Sequence, residues 1–266
     1  ALSGGSAKPF QQGSGRLELA NEIAKHPLAA RVMVNRVWMY HFGHGLVATP
    51  SNFGQLGRSP THPALLEHLA RRFVATDGSV KALHREIVLS TTYQLASDAT
   101  EAGLKVDPSN QLYWRSSRRR LEVEAIRDAM LFVSGRLDSQ VGGASEEISD
   151  DLRRRTVYGR ISRFKLSETL ALFDFPDPRL SAAKRMRTNS PLQRLFFLNN
   201  DFVWKQTAAL AERLKQGERS TEDRIRQAYL VVYGREATKD ELALANRIMA
   251  SFAKDEAWTA FAQILL

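Results

Sequence analysis

The chain has 266 residues, a net charge of +9, 43% hydrophobic and 25% charged residues, and no cysteine. Those values describe an ordinary globular protein, long enough to bury a substantial core in one large domain or two modest ones. Without thiols there are no disulfides, thiolate zinc sites, iron–sulfur clusters or haem attached through Cys-x-x-Cys-His, and no apolar run reaches the roughly 18 residues of a membrane span.

Residues 1–16, opening "ALSGGSAKPFQQGSG", are small and Gly/Ser-rich and have neither the basic n-region nor the apolar h-region of a signal peptide. They read as a linker remnant, and the chain as a piece cut from something longer. Residues 17–266 read as a single helical domain, with a possible sub-division near 139–152. "RLELANEIAKHP" carries Leu17, Leu19, Ala20, Ile23 and Ala24 at helical spacing and stops near Pro27, which can itself open the next helix at its first turn. That second helix, "PLAARVMVNRVWMYHF", is apolar on nearly every side, which predicts burial, and Gly43 and Gly45 end it. After the loop "LVATPSNFGQLGRSP" come a helix over "THPALLEHLARRFVAT", with Pro63 in its first turn, and another after the N-cap candidate Ser79.

Residues 98–110 are polar and aperiodic. Helical period returns in "RRRLEVEAIRDAMLFVSGRLD", with Leu121, Ala125, Met130, Val133 and Leu137 expected inward. "VGGASEEISDD" reads as a flexible loop, and the alternation in "RRRTVYGRISRF" predicts one short strand or hairpin near residues 154–164. "SETLALFDFPDP" supplies one or two helical turns, and 179–190 reads as an extended basic loop. Helices resume at "PLQRLFFLNNDFVWKQTAALAERL", and Thr238 with Glu241 forms a capping box ahead of a further helix. The fold class is mostly α, an irregular multi-helix domain.

All six histidines lie in the first 84 residues: His26, His41, His44, His62, His68 and His84. His41 and His44, three apart at a helix end, are the nearest thing to a metal pair. No third ligand accompanies them in a recognised pattern, and no metal site is assigned. Glu124 and Asp128 lie one helical turn apart, the spacing of an acid–base pair, but Arg120 and Arg127 beside them suit a structural ion-pair network. With His41, these two carboxylates are the weak catalytic candidates. No Gly-x-Ser-x-Gly elbow, Walker loop or Gly-x-Gly-x-x-Gly is present.

The charge is uneven. Asp151 to Arg194 holds eleven Lys/Arg against four Asp/Glu, an excess of seven in one central segment. Such a segment favours an anionic partner. "RSSRRR", "LRRRTVYGRISRFK" and "KRMRTNS" provide phosphate-binding cations, with Tyr158 and Phe164 among them. No nucleic-acid-binding signature accompanies them, so nucleic acid is the weaker reading.

Read in order, "PLAARVMVNRVWMYHFGHGLVATPSNFG", "THPALLEHLA", "LHREIVLSTTYQ", "RRRLEVEAIRDAMLFVSGRLD", "LFDFPDP" and "PLQRLFFLNNDFV" resemble one family from about Leu17 to the last residue. It is the planctomycete cytochrome-associated C-terminal domain of unknown function, which ends exported proteins that begin with a cytochrome c-like segment. The resemblance implies export to the periplasm or cell surface, upstream domains of the same polypeptide as partners, and haem held only in those other domains. It implies no activity. Family members commonly continue past "FAQILL", which leaves the last helix open to fraying.

Arg31, Asn35, Trp38 and Phe42 lie near one face of the second helix, with Arg36 elsewhere. Buried, Arg31, Asn35 and Arg36 need partners, since an unpaired polar group costs several kcal/mol. Glu122, Glu124 and Asp128 are the expected ones, in a clamp between two helices. The candidate binding residues are Arg31, Asn35, Arg36, His41, His44, Arg119, Arg120, Arg127, Arg160, Arg185 and Arg187. The function expected is a non-catalytic interaction module for an anionic polysaccharide or an acidic protein surface. The alternatives are a hydrolase acting on an anionic glycan or phosphate, and a nucleic-acid-binding domain.

Overall fold

The computed structural model describes residues 10–11 and 13–266; residues 1–9 and 12 of the expected linker lie outside the described residues. Twelve α-helices and one 3-10 turn are found among the described residues, and the expectation of a mostly helical multi-helix fold holds. The chain divides into two compact units, one ending at Arg119 and the other beginning at Arg120. Residues 139–152 lie inside the second unit.

The first unit contains α1 (Arg16–Lys25), α2 (Pro27–Phe42), α3 (Pro63–Ala75), α4 (Val80–Val88) and α5 (Glu101–Val106). Local chemistry sets their ends. His26 stands at the N-cap of α2, its ring nitrogen accepting from Leu28 N–H, and Pro27 occupies the first turn where a missing N–H costs nothing. Gly43 closes α2 at φ 86°, a left-handed conformation that favours glycine. Ser79 caps α4 through Ala82 N–H, as its position suggested. The polar stretch read as aperiodic contains α5. Thr100 caps that helix, and Trp114 lies where a side chain on Gly103 would project.

The α2 helix carries the core of this unit. Val34, Val37, Trp38 and Phe42 pack with Leu46, Val47, Leu66, Leu69, Leu83, Ile87 and Tyr113. Each large side chain so buried contributes about 1.5–3 kcal/mol relative to exposure. Burial is one-sided, however: Met33, Arg36 and Tyr40 are exposed. α1 buries nothing, and Leu17, Leu19 and Ile23 on it face solvent.

The second unit contains α6 (Val123–Val133), α7 (Glu168–Leu172), α8 (Pro191–Asn199), α9 (Asp201–Lys215), α10 (Thr221–Tyr233), α11 (Lys239–Ser251) and α12 (Lys254–Leu265). α9 is shared by two apolar clusters. Phe202 and Val203 join Met130 and Leu131 of α6, while Leu210, Ala211 and Leu214 join Ile225, Ala228 and Tyr229 of α10 and Trp258, Phe261, Ala262 and Leu265 of α12. The last helix is therefore part of the core, which corrects the expectation that it frays. The Thr238–Glu241 capping box forms at α11, and a second, Ser190–Gln193, opens α8.

Two other expectations fail here. α6 begins only at Val123, so Leu121 is exposed, and Ala125 faces outward. The buried face carries Val123, Arg127, Met130, Leu131 and Val133 instead. Near 154–164 no strand forms among the described residues. Isolated bridges pair Asp138 with Arg154 and Glu146 with Gly159, around a 3-10 turn at Thr156–Tyr158. Arg127, Arg154 and Asp128 take up backbone groups there, so the segment is held by side chains instead of a ladder.

Candidate functional site

In the first unit the candidates gather around the C-terminal half of α2. Asn35 is fully buried and answers the backbone of one residue twice: its Oδ1 accepts from Val47 N–H at 2.8 Å, and its Nδ2 donates to Val47 carbonyl at 3.1 Å. The amide thereby replaces the strand neighbour that Val47 lacks. Gly45 belongs to the same device, because a Cβ there would stand 2.7 Å from the Asn35 amide. Arg31 binds Glu67 at 2.6 Å, a carboxylate that Arg71 also engages; the two arginines hold it below the usual carboxylate range. Arg36 is exposed. The expected clamp with Glu122, Glu124 and Asp128 is thus replaced by partners that helical spacing does not reveal.

His41 and His44, three residues apart at the helix end, go to different neighbours. His41 Nε2 lies 2.6 Å from His84 Nδ1, a hydrogen bond in which one ring nitrogen donates and the other accepts, and Tyr93 presents its ring edge-on to His41. Burial, then the neighbouring His84 and Arg119, lower the pKa of His41. Arg119 donates to Tyr40 carbonyl at 2.6 Å, near the end of the helix. His44 stacks on Tyr113 with ring centroids 5.2 Å apart, and burial lowers its pKa against the opposing pull of Asp107. Tyr113 is the hub: its hydroxyl accepts from Trp38 Nε1 at 2.8 Å, and Phe42 and His62 also touch its ring. Tyr113 carries no signal in the sequence, and His84 is named there only among the six histidines, since both lie in segments remote from α2. Among the described residues no group of three or more His, Asp or Glu is placed to hold a metal ion.

In the second unit Arg127 is 4% exposed, and its guanidinium serves the backbone. It donates to the carbonyls of Ser149 at 3.2 Å, Arg154 at 3.4 Å and Leu152, and lies over the Phe202 ring. Desolvation lowers its pKa, with Asp128 and Asp150 opposing. Asp128 accepts from the Thr156 N–H at 2.7 Å and hydroxyl at 2.6 Å, and Arg155 stands 3.6 Å away. Arg154 is buried as well, cradled by Gly142 and Ala144 carbonyls and by Glu146, over the Tyr158 ring. The Gly142–Gly143 pair is the only sequence signal for that cradle.

Glu124 is bound bidentately by Arg185, at 2.7 and 2.8 Å. Burial pushes its carboxyl up, and the two bonds from Arg185 outweigh that, leaving the pKa lowered. Arg185 also meets Glu122 at 3.3 Å and covers Phe175, while Arg187 reaches Glu122 only at 4.0 Å. Arg120 donates to Thr188 carbonyl and to the Gln193 side chain. Asp174, in a left-handed conformation at φ 61°, accepts from the N–H and hydroxyl of Thr188. These bonds organise the segment that aperiodicity marked as an extended loop. The Arg160 side chain, by contrast, donates to Ser145 carbonyl at 3.3 Å and meets no carboxylate among the described residues. It begins an exposed loop in which Arg163, Phe164 and Lys165 follow, with Phe164 fully in solvent.

Helical units in which buried Asn35, Arg127 and Arg154 side chains bind backbone make this a mostly α protein. A family described as PSD1, protein of unknown function (DUF1553), matches residues 15–249, and the chain belongs to it. No curated protein and no solved structure matches the chain. Among the described residues no helix is long and apolar enough to cross a membrane.

Proposed function

We propose that the chain is a non-catalytic binding module of a larger exported, cytochrome-type protein, and that loop 159–166 of the second unit contacts an anionic partner. The observation that carries this reading is the loop itself. Arg160, Arg163 and Lys165 flank a fully exposed Phe164, and Ser162 Oγ accepts from the N–H groups of Phe164 and Lys165 to hold the tip. Lys165 meets Glu147 only at 3.6 Å, with both side chains largely exposed. An aromatic face between cations suits an anionic polysaccharide, whose rings offer apolar faces and whose substituents offer charge. The upstream domains of the same polypeptide are the other partners of this module, and they hold the haem. Against a hydrolase stand the commitments of Glu124 to Arg185 and of Asp128 to Thr156, which leave neither carboxylate poised for proton transfer.

Heparin, as a model polyanion, tests the reading. The chain is expected to be retained on immobilised heparin at low salt. The triple variant R160Q/R163Q/K165Q should elute earlier, with the salt dependence of binding reduced by about 0.7–0.9 for each cation removed, as for nucleic-acid polyanions. Elution of the triple variant with the wild type, or no retention at all, would sink it.

A further inference from the structure

A recess of about 530 Å³ opens between the end of α9 and the facing side of α10, in the second unit and outside every group discussed above. Its volume lies within the roughly 300–1,000 Å³ usual for small-molecule sites. Three arginines line it, Arg213, Arg219 and Arg224, with Gln216 and Gln227 as neutral polar groups and Glu218 as the one acid. We propose that this recess is a binding site for an oxyanion, a phosphate or sulfate group borne on a small organic body.

The arginines reach this state by separate routes. Arg213 is pinned from behind, donating to the carbonyls of Val133 at 2.7 Å and Phe132 at 3.2 Å, where the last turn of α6 leaves acceptors free. Those partners are neutral, so its charge stays at the recess. Arg224 spends one terminal nitrogen on Gly217 carbonyl at 2.7 Å, while its Nε–H is buried without an acceptor. A buried donor left unmade is costly, and more so when it belongs to a charged group. Arg224 itself lines the recess, so its guanidinium charge stands beside any anion held there. Arg219 is exposed and has no carboxylate within ion-pair distance among the described residues. Its planar fork is free for the bidentate grip that suits phosphate and sulfate. Three of the nearby acids are engaged elsewhere, Glu212 with Lys215, Glu222 with Arg226 and Asp223 with Ser220, which leaves Glu218 as the single carboxylate among three arginines at the recess. The turn that shapes the recess depends on Gly217, at φ 81°.

Calorimetric titration of the full chain with inorganic phosphate, inorganic sulfate and glucose 6-phosphate tests this, alongside NMR observation of the arginine Nε–H signals. Saturable one-to-one binding is expected, with the Arg224 Nε–H signal shifting in step. Arg219→Gln, a surface change that leaves the fold intact, should weaken binding about tenfold, as removal of one charge-assisted hydrogen bond implies. R160Q/R163Q/K165Q should leave it unchanged, which separates this site from the loop proposed above. Tighter binding of the sugar phosphate than of inorganic phosphate identifies an organic body in the recess, and equal binding identifies the free ion. Non-saturating shifts up to high concentration, or unchanged affinity in Arg219→Gln, overturn the proposal.

Discussion

Replacing Asn35 by aspartate exchanges one amide nitrogen for oxygen at a position with no exposed surface. The new side chain can still accept from Val47 N–H, but as a carboxylate it cannot donate to Val47 carbonyl and instead faces it with a negative charge. The cheaper folded form is the protonated acid, whose hydroxyl restores the lost donor. Keeping an acid of ordinary pKa about 3.9 protonated near pH 7 costs about 4 kcal/mol, and near pH 5 about 1.5 kcal/mol. The sign follows from the raised pKa in the folded state. The variant's deficit is small below the unfolded value and grows as pH rises from there towards the folded value. Urea unfolding of wild type and Asn35→Asp at both pH values, converted through the slope of the transition, reads the deficit directly. It should widen by about 2–3 kcal/mol between pH 5 and pH 7. A deficit below about 1 kcal/mol near pH 7, or one indifferent to pH, refutes the clip as the anchor of the loop after α2.

Arg127→Met removes the donor to three backbone carbonyls, each worth about 1–3 kcal/mol when left unmade, and relieves the burial of one charge; a net loss of at least about 3 kcal/mol is expected. Calorimetry should show the melting temperature lowered by roughly 6–12 °C, and faster hydrogen exchange across residues 146–158 should accompany it. An unchanged melting temperature contradicts the role given to this arginine. The ring of His41 should titrate below the ordinary histidine value, with burial as the chief cause and His84 and Arg119 adding to it. Because folding favours its neutral form, stability is full above the ordinary value of about 6.5 and declines as pH falls through it. An NMR titration placing His41 at or above that value removes the argument.

Much of the helical layout was legible because its signals are local. Pro27, Pro63, Ser79 and the Thr238–Glu241 pair act within one turn of the residues they organise, and each does in the structure what its spacing suggests. Partnership was not legible. Nothing in the spacing of α2 says that Asn35 answers Val47 or that Arg31 answers Glu67, since those pairings depend on how separate elements pack. The same limit explains α6. An apolar period predicts an apolar interior, and Arg127 enters that interior because irregular backbone around residues 149–156 lacks a ladder and needs donors. The alternation near 154–164 resembled a strand for the same reason: Arg154 and Thr156 point inward at alternate positions, but to satisfy carbonyls and Asp128 and not to pair with a neighbouring strand.

The similarity to the family stops at residue 249, inside α11, whereas Trp258, Phe261 and Leu265 of α12 plug the apolar centre of the second unit. A gene trimmed at that border would encode a protein with an open greasy wound, prone to precipitate on expression. Recognisable kinship ends before the helix that closes this core, so a cut placed by similarity alone falls inside the packed interior.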